Sequence, residues 1–327
     1  MLSRSLRTTK MPPHFVLGLM GSSPSGGSTH LSTPEQLTPL LTLASQHHIR
    51  DLDTARAYLS GGAETLLGSV DKSLTRNFRI DTKAPAFDAG SLSHDKIVSN
   101  CTASLASLQE EKCHIYYLHG PDSATPLTEK CDAVAALHAQ GKFEYWGVSN
   151  IGVEELRGMV EYCRTRDYPL PRVYQGVYNP LHRGAEEGLF PLLREYGMVF
   201  YAYSPLAGGI FAKGVDEVLS PEKGSRFDVM GVFGGMYLGE EMVSGVKLVA
   251  QRCQESGISL LEATIRWFRW HSGLGEGDGV ILGVSRLAQL EQTVKFLEGE
   301  RLDENVASAF EELWEKLKGK ALPFSFG

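Results

Sequence analysis

Residues 114–150 have the sequence HIYYLHGPDSATPLTEKCDAVAALHAQGKFEYWGVSN. The stretch opens with an apolar, β-rich run, HIYYLHG, and closes with a second one, YWGVSN. Between them, PLTEKCDAVAALHAQGK repeats apolar residues at helical spacing and ends near Gly141, a residue type common at helix C-termini. A strand, a helix and a strand in this order predict two parallel strands covered by the helix that connects them.

The same alternation extends over nearly the whole chain. Eight segments are strand candidates: HFVLGLM (14–20), IRDLDT (49–54), FRIDTKA (78–84), HIYYLHG (114–120), YWGVSN (145–150), RVYQGVYN (172–179), MVFYAYSPL (198–206) and GVILGVS (279–285). Eight such units favour an α/β fold closed into a (β/α)8 TIM barrel. An open sheet that binds a dinucleotide should carry G-x-G-x-x-G after its first strand, and no glycine cluster here matches that motif.

We therefore predict a single barrel domain over residues 14–327 and a disordered start at residues 1–13. The first residues, MLSRSLRTTKMPP, are basic and rich in Ser and Thr, as in a mitochondrial presequence. A first strand that begins at His14 leaves little to cleave, however, so a plain disordered start is the preferred interpretation.

Composition restricts the classes of partner. A net charge of −7 and a pI of about 5.8 argue against nucleic acid and against an anionic membrane surface. No apolar run approaches the ~20 residues that span a bilayer. The five cysteines are scattered and form no C-x-x-C, and H-E-x-x-H is absent. We expect a metal-free cytoplasmic protein with reduced thiols, and the sequence allows a homo-oligomer.

Active sites of such barrels are built from the loops at the carboxyl ends of the strands. Three consecutive strands carry reactive side chains there: Asp53 with Tyr58 in the following loop, then Lys83, then His119. Each has a structural explanation when taken alone, such as helix capping by Asp53 or a hydrogen-bonded core histidine. Together they indicate catalysis. The later strands end in Ser149 and Asn150, present Gln175, and end in Tyr203 and Ser204.

The four reactive side chains suit the reduction of a carbonyl group. A free phenol has a pKa near ~10, which is too high for efficient proton exchange at neutral pH. An ammonium group beside Tyr58 stabilises the phenolate and lowers that pKa, while Asp53 keeps Lys83 charged and oriented. His119 is suited to hydrogen-bond the substrate oxygen. Because no side chain donates hydride, the chemistry predicts a nicotinamide cofactor.

The motifs at these positions resemble the aldo-keto reductases. They are DTARAY (53–58), TKA (82–84), YYLHGPD (116–122), YWGVSN (145–150), YQGVYNPL (174–181), YAYSPLAGGIFAKG (201–214) and VILGVSRLAQLEQTV (280–294). The last of these is similar to the C-terminal cofactor segment of that family. With YSPLAGGI, it is most similar to the aflatoxin-aldehyde reductase branch. The resemblance extends from about residue 14 to residue 297.

The resemblance implies a barrel that binds NADPH without a Rossmann domain and reduces small-molecule aldehydes or ketones. It implies Tyr58 as the proton donor, with Asp53, Lys83 and His119 completing a tetrad and His119 also contacting the substrate. Ser149, Asn150 and Gln175 then hold the carboxamide, Tyr203 stacks on the nicotinamide, and Ser204–Gly214 surrounds the pyrophosphate. The full set of implied cofactor residues is Gly18, Met20, Asp53, Ser149, Asn150, Gln175, Tyr203, Ser204, Leu206, Gly208, Lys213, Gly214, Arg226, Ser285, Arg286, Gln289, Gln292 and Thr293.

Two departures from the family pattern concern the adenosine end of the cofactor. Arg286 stands where the nearest branch tends to have a second serine, which should strengthen contact with a 2′-phosphate dianion. Thr293 stands where the family usually has an asparagine that contacts adenine. We also expect the glycine-rich loop 207–240 to close over the cofactor's phosphates with Lys213 and Arg226, and Tyr237 to form part of the substrate wall.

Two other functions compete with a reductase. The family also contains potassium-channel β-subunits, which bind NADPH and act as partner proteins. All four tetrad residues are present here, and we expect no long N-terminal inactivating extension, so the enzyme is the preferred interpretation. A barrel aldolase or isomerase would use Lys83 to form a Schiff base, but Asp53 beside it would keep Lys83 protonated and oppose nucleophilic attack.

Overall fold

The eight predicted strands form a closed parallel barrel. The structure, a computed structural model, describes residues 11–20, 31–221, 232–320 and 325. The strands are β1 (His14–Gly18), β2 (Asp51–Asp53), β3 (Arg79–Ala84), β4 (Cys113–Leu118), β5 (Phe143–Ser149), β6 (Val173–Val177), β7 (Val199–Tyr203) and β8 (Gly279–Gly283). Each pairs with its neighbours in chain order, and β8 pairs with β1. The prediction of a (β/α)8 barrel is confirmed.

Helices surround the barrel. Those within the described residues are α1 (Pro34–Gln46), α2 (Gly62–Gly68), α3 (Lys72–Thr75), α4 (His94–Leu108), α5 (Leu127–Ala139), α6 (Val153–Thr165), α7 (Leu189–Glu195), α8 (Ile210–Lys213), α9 (Val215–Leu219), α10 (Val232–Tyr237), α11 (Glu240–Glu255), α12 (Leu260–Trp270), α13 (Leu287–Val294) and α14 (Glu304–Leu317). Their apolar faces and the outward faces of the strands form one large buried core. None of these helices is both long enough and apolar enough to cross a membrane.

The barrel interior is packed with side chains, so it is not a channel. A second, smaller cluster lies inside it and contains Tyr117 and Tyr201. Each tyrosine ring occupies space that is available only because the facing residue on a neighbouring strand is glycine. A Cβ placed on Gly147 would lie 2.6 Å from the Tyr117 ring, and one on Gly279 would lie 2.9 Å from the Tyr201 ring. Large residues beside glycines therefore close the interior below the rim.

Substitution of Gly147 by Ala is expected to destabilise the protein. The new methyl group would also lie 2.7 Å from the backbone oxygen of Val173, which cannot rotate away. Overpacking of this kind costs about 1–3 kcal/mol. Urea denaturation of the variant measures the loss, and Gly283→Ala is a suitable control because a Cβ there meets no atom within 4 Å. Equal stability of the two variants would contradict this packing.

The barrel closes unevenly on the two sides of β8. This strand pairs with β1 at five positions but with β7 at only two, Tyr201 with Gly279 and Ala202 with Val280. Below the short ladder, the fully buried carboxylate of Asp278 accepts hydrogen bonds from the backbone N–H groups of Phe200 and Gly275, both at 2.8 Å. Arg194 donates to the same carboxylate through both terminal nitrogens. A side chain thus replaces part of the strand pairing at this seam.

Candidate active site

Asp53 and Lys83 form a buried ion pair at the carboxyl ends of β2 and β3. Lys83 Nζ lies 2.7 Å from each carboxylate oxygen of Asp53 and donates a third hydrogen bond, also 2.7 Å, to the backbone oxygen of Thr54. Lys83 is fully buried, and burial alone would lower its pKa. The charges of Asp53 and Tyr58 outweigh burial, so the pKa of Lys83 is raised. The lysine is therefore a permanent cation and not a free amine.

Tyr58 lies directly over this cation. Its ring centroid is 5.1 Å from Lys83 Nζ, and the phenol is half-buried. The chain then turns through three successive residues with positive φ, Leu59 at 51°, Ser60 at 55° and Gly61 at 89°. Two of them are not glycines, and such backbone strain concentrates at functional sites.

The loop that carries Tyr58 is held by a buried polar network. Arg56 donates to Glu64 at 3.1 Å and to Ser107 at 3.0 Å. Glu64 is fully buried and also accepts from the Thr82 hydroxyl on β3. Because every member has a partner, the network fixes the loop against β3 and α4 and offsets the strain of the left-handed turn.

His119 faces Tyr58 from the end of β4. The two rings meet edge to face with centroids 5.7 Å apart. Burial, followed by the charge of Lys83, lowers the pKa of His119 to about 3. The imidazole is neutral at physiological pH, so it can donate one hydrogen bond to a carbonyl oxygen without delivering its own proton. The structure thus brings all four predicted tetrad residues together.

The sequence analysis did not name Phe87, which lies at the edge of this site. Its ring is 53% exposed, packs against Gly120 and lies 6.2 Å from the His119 ring. Its φ of 77° is unusual for a bulky residue. Asp122 holds the rest of this loop, since its carboxylate accepts from the backbone N–H groups of Gly90 and Leu92 at 2.9 Å. These two hydrogen bonds span 32 and 30 residues, so no local sequence signal reveals them.

The predicted carboxamide residues line the rim beside the tetrad. Gln175 donates to Asp53 at 2.8 Å. Asn150, held at φ 61°, donates to Ser149 Oγ and to the backbone oxygen of His119, at 2.8 and 3.1 Å. Tyr203 donates to Asn150 Oδ1 at 2.8 Å, and burial is the main cause that raises the pKa of its phenol. These polar groups are fixed in place by one another.

The segment after β7 begins with another non-glycine residue at positive φ. Ser204 has φ 54°, and its backbone oxygen accepts from Asn179 at 3.0 Å. Half-buried Leu206 precedes a short 3-10 helix, Ala207–Gly209, which contains half-buried Gly208. Gly214, at φ 85°, ends α8. Lys213 is paired with Glu217 at 2.7 Å. Arg226 lies outside the described residues.

The segment after β8 presents the start of α13. Arg286 and Gln292 are exposed, and no side chain caps the helix at Arg286. Gln289 accepts from the Ser285 backbone and hydroxyl at 2.8 and 3.2 Å. Thr293 is buried and donates to the Gln289 backbone oxygen at 2.9 Å. A buried threonine in this position differs from an asparagine that would reach outward.

The remaining predicted residues lie on two sides of the rim. Gly18 pairs with Asp53 across β1 and β2, and half-buried Met20 follows two residues later. Tyr237, at the end of α10, has no exposed surface and lies 5.3 Å from the His182 ring. Within the described residues no group of His, Cys, Asp and Glu side chains could hold a metal ion.

Comparison with known proteins identifies the family of the chain. The profile of the Aldo/keto reductase family matches residues 16–315. The chain belongs to this family. It is 36% identical to the protein named oxidoreductase sirO of Leptosphaeria maculans, over 90% of each chain. It is 34% identical to human aflatoxin B1 aldehyde reductase member 2, over 95% of this chain and 90% of that protein. The resemblance seen in the sequence is confirmed.

Solved structures agree on the fold. A glycerol dehydrogenase from Gluconobacter oxydans superposes with a TM-score of 0.73 at 19% identity, over 96% of this chain and 94% of that one. An aldo/keto reductase from Klebsiella pneumoniae in complex with NADP and acetate has a TM-score of 0.65 at 20% identity, over 93% and 92%. The protein is an oxidoreductase of a family that uses nicotinamide cofactors and acts on small-molecule carbonyl compounds.

Proposed function

We propose that this member reduces aldehydes or ketones to alcohols with NADPH, and that Tyr58 supplies the proton. The observation that carries the proposal is the position of the Tyr58 ring over a fully buried Lys83 whose charge is fixed by Asp53. A cation in this place favours the phenolate that remains after proton transfer. When bound, the nicotinamide supplies the hydride that no side chain can provide.

The polar groups on the rim fit such a cofactor. Ser149 and Asn150 at the end of β5 and Gln175 within β6 are buried side chains, a set of donors and acceptors suited to a carboxamide. Across the rim, α13 begins without a side-chain cap, and the backbone N–H groups of its first two residues, Leu287 and Ala288, point out of the helix start, as an anion site requires. Arg286 stands at that helix start, where it would contact the 2′-phosphate that distinguishes NADPH from NADH. The expected role of Lys213 at the pyrophosphate requires it to exchange its ion pair with Glu217 for the cofactor.

The side chains of the tetrad have separate tasks in this proposal. Neutral His119 donates a hydrogen bond that orients the substrate oxygen toward the Tyr58 hydroxyl. Tyr58 gives its proton to that oxygen as negative charge develops there. Lys83 stabilises the resulting phenolate, and Asp53 and the Thr54 backbone oxygen hold the lysine at the required distance. Phe87 covers one side of the entrance and limits the access of water.

The direct test measures loss of NADPH absorbance with an activated aldehyde such as 4-nitrobenzaldehyde. Turnover by the wild type supports the proposal. NADPH binding without turnover of any aldehyde or ketone would contradict it and favour a partner protein like the potassium-channel β-subunits. Cofactor binding is measured separately by quenching of intrinsic fluorescence, so the two outcomes are distinguishable.

The preference for NADPH is expected to depend on Arg286. Arg286→Ala should raise the Kd for NADPH by about tenfold, because a charge-assisted hydrogen bond to phosphate is lost at an exposed site, and should barely change the Kd for NADH. Lys295→Ala is the matched control, since it removes an exposed cation just beyond the other end of α13. Titration of each variant with both cofactors checks the prediction. An equal loss for NADPH and NADH would show that Arg286 does not face the phosphate.

A further inference from the structure

A second acid lies beneath the tetrad, deeper in the barrel. Asp81 is two residues before Lys83 on β3, so both side chains point into the barrel, about 6.6 Å apart along the strand. The carboxyl group is completely buried. One oxygen, Oδ1, lies 2.9 Å from His114 Nδ1 and accepts from the Ile115 backbone N–H at 3.1 Å. The other oxygen, Oδ2, has no hydrogen-bond partner among the described residues.

A carboxyl group with one bare oxygen in a packed interior is costly to ionise, and packing alone does not require it. Burial raises the pKa of Asp81 to about 7, against the opposing effect of His114. The charged and titratable groups that face it are Asp51 and Asp53 on β2, Arg79 and Lys83 on β3, Cys113, His114 and Tyr117 on β4, and Tyr201 on β7. Arg79 is already paired with Asp51 through two hydrogen bonds of 2.6 and 2.7 Å. Arg79 is therefore committed to Asp51, and His114 is the basic side chain in direct contact with Asp81 among the described residues.

We propose that Asp81 is a positioning residue for the reaction: its buried carboxylate, held by His114 beneath Lys83, opposes loss of a proton from the Tyr58–Lys83 pair. The inference rests on the proposed role of Tyr58 as proton donor. Asp81 is among the groups that raise the pKa of Lys83. A negative charge there disfavours any further loss of positive charge above it, and because Lys83 remains charged, Tyr58 is the member of the pair that releases the proton. The consequence is a donor that stays protonated to higher pH.

The effect has a defined pH range. Below about pH 6 the Asp81 carboxyl is mostly neutral, so its replacement by an amide changes little there. Above about pH 8 it is charged, and removing the charge lets the pair lose its proton more easily. The alkaline limb of the pH–activity profile is expected to move down by about one pH unit in Asp81→Asn, since a charge at this distance acts through a partly screened interior. A residue that only supported packing would lower activity at every pH without moving the limb.

The experiment compares kcat/KM for 4-nitrobenzaldehyde from about pH 5.5 to 10 in the wild type, Asp81→Asn, Asp81→Ser and Asp81→Glu. Asp81→Asn and Asp81→Ser should shift the alkaline limb to lower pH. Asp81→Glu, which keeps the charge, should leave the limb near the wild-type position. Asp81→Ser serves if the amide variant does not fold. A folded, active neutral variant with an unshifted limb overturns the proposal.

A second readout needs no turnover, so it separates this proposal from the reductase assignment. Ionisation of Tyr58 is followed by ultraviolet absorbance as the pH is raised. The signal of Tyr58 is the difference between each protein and the same protein carrying Tyr58→Phe. The midpoint should fall in the Asp81→Asn background by the same amount as the activity limb. If no carbonyl is reduced but this midpoint moves, the proposed function fails and the effect of Asp81 stands. An unmoved midpoint overturns the proposal for Asp81 whatever the activity.

Discussion

Tyr58→Phe is expected to lower kcat by about 10²–10⁴-fold while leaving cofactor affinity close to that of the wild type. The substitution removes one hydroxyl group and keeps the ring that packs over Lys83 and against His119. Only the proton donor is lost, so the defect should lie in the chemical step. Steady-state kinetics with a saturating aldehyde, together with a cofactor titration, measure the two effects separately.

Tyr116→Phe is the matched control for this prediction. It also removes one buried hydroxyl, which donates to the Ile97 backbone oxygen at 3.0 Å on the outer side of β4. It should cost some stability but little activity. If Tyr58→Phe retained more than about a tenth of the wild-type kcat, Tyr58 would not be the general acid.

Lys83→Met is expected to abolish measurable turnover and also to destabilise the fold. The phenolate loses its neighbouring cation, and the carboxylate of Asp53 is left buried with Gln175 as its remaining side-chain partner among the described contacts. Breaking a buried ion pair from one side costs about 3–5 kcal/mol. Activity assays and urea denaturation of the same preparations report the two losses.

The double variant Asp53→Asn with Lys83→Met separates catalysis from stability. Its buried carboxylate has become neutral, so much of the stability lost in Lys83→Met should return. Activity should not return, because the cation is still missing. Recovery of turnover together with stability would mean that Lys83 acts only as a structural ion-pair partner.

The barrel was predictable from the sequence because its signal is repeated. Each strand candidate was apolar and lay between turn residues and a helical segment, so an error at one boundary did not alter the count. The predicted fifth strand at 145–150, for example, begins at Phe143 in the structure. Helices α12 and α14 were not predicted. Their sequences, LLEATIRWFRW and ENVASAFEELWEKL, do carry apolar periodicity. Helix α12 is an additional helix between β7 and β8, and α14 follows the last strand, so neither is needed for the strand–helix alternation from which the barrel was predicted.

The functional site was likewise predictable from the sequence only in part. Parallel strands bring their carboxyl ends to one rim, so Asp53, Lys83 and His119 were predictable as neighbours from their strand positions alone. Phe87 was not, because its place depends on a left-handed backbone and on a loop held by a carboxylate more than 30 residues later in the chain. The hydrogen-bonding environment of Asp81 could not be predicted from the sequence either. Period two places it below Lys83, but only the three-dimensional structure reveals the bare oxygen and the contact with His114.

The short seam between β7 and β8 gives the proposed cofactor a mechanical role. The two segments assigned to its phosphates leave the barrel on opposite sides of that seam, Ser204–Gly214 after β7 and 285–293 after β8. A single molecule that contacts both segments bridges the place where only two residue pairs join the strands. Because β8 is joined to β1 along five pairs and β1 pairs with β2, such a bridge would also be connected to the strand that carries Asp53. If the cofactor binds as proposed, we expect it to strengthen this part of the barrel wall in addition to serving its chemistry.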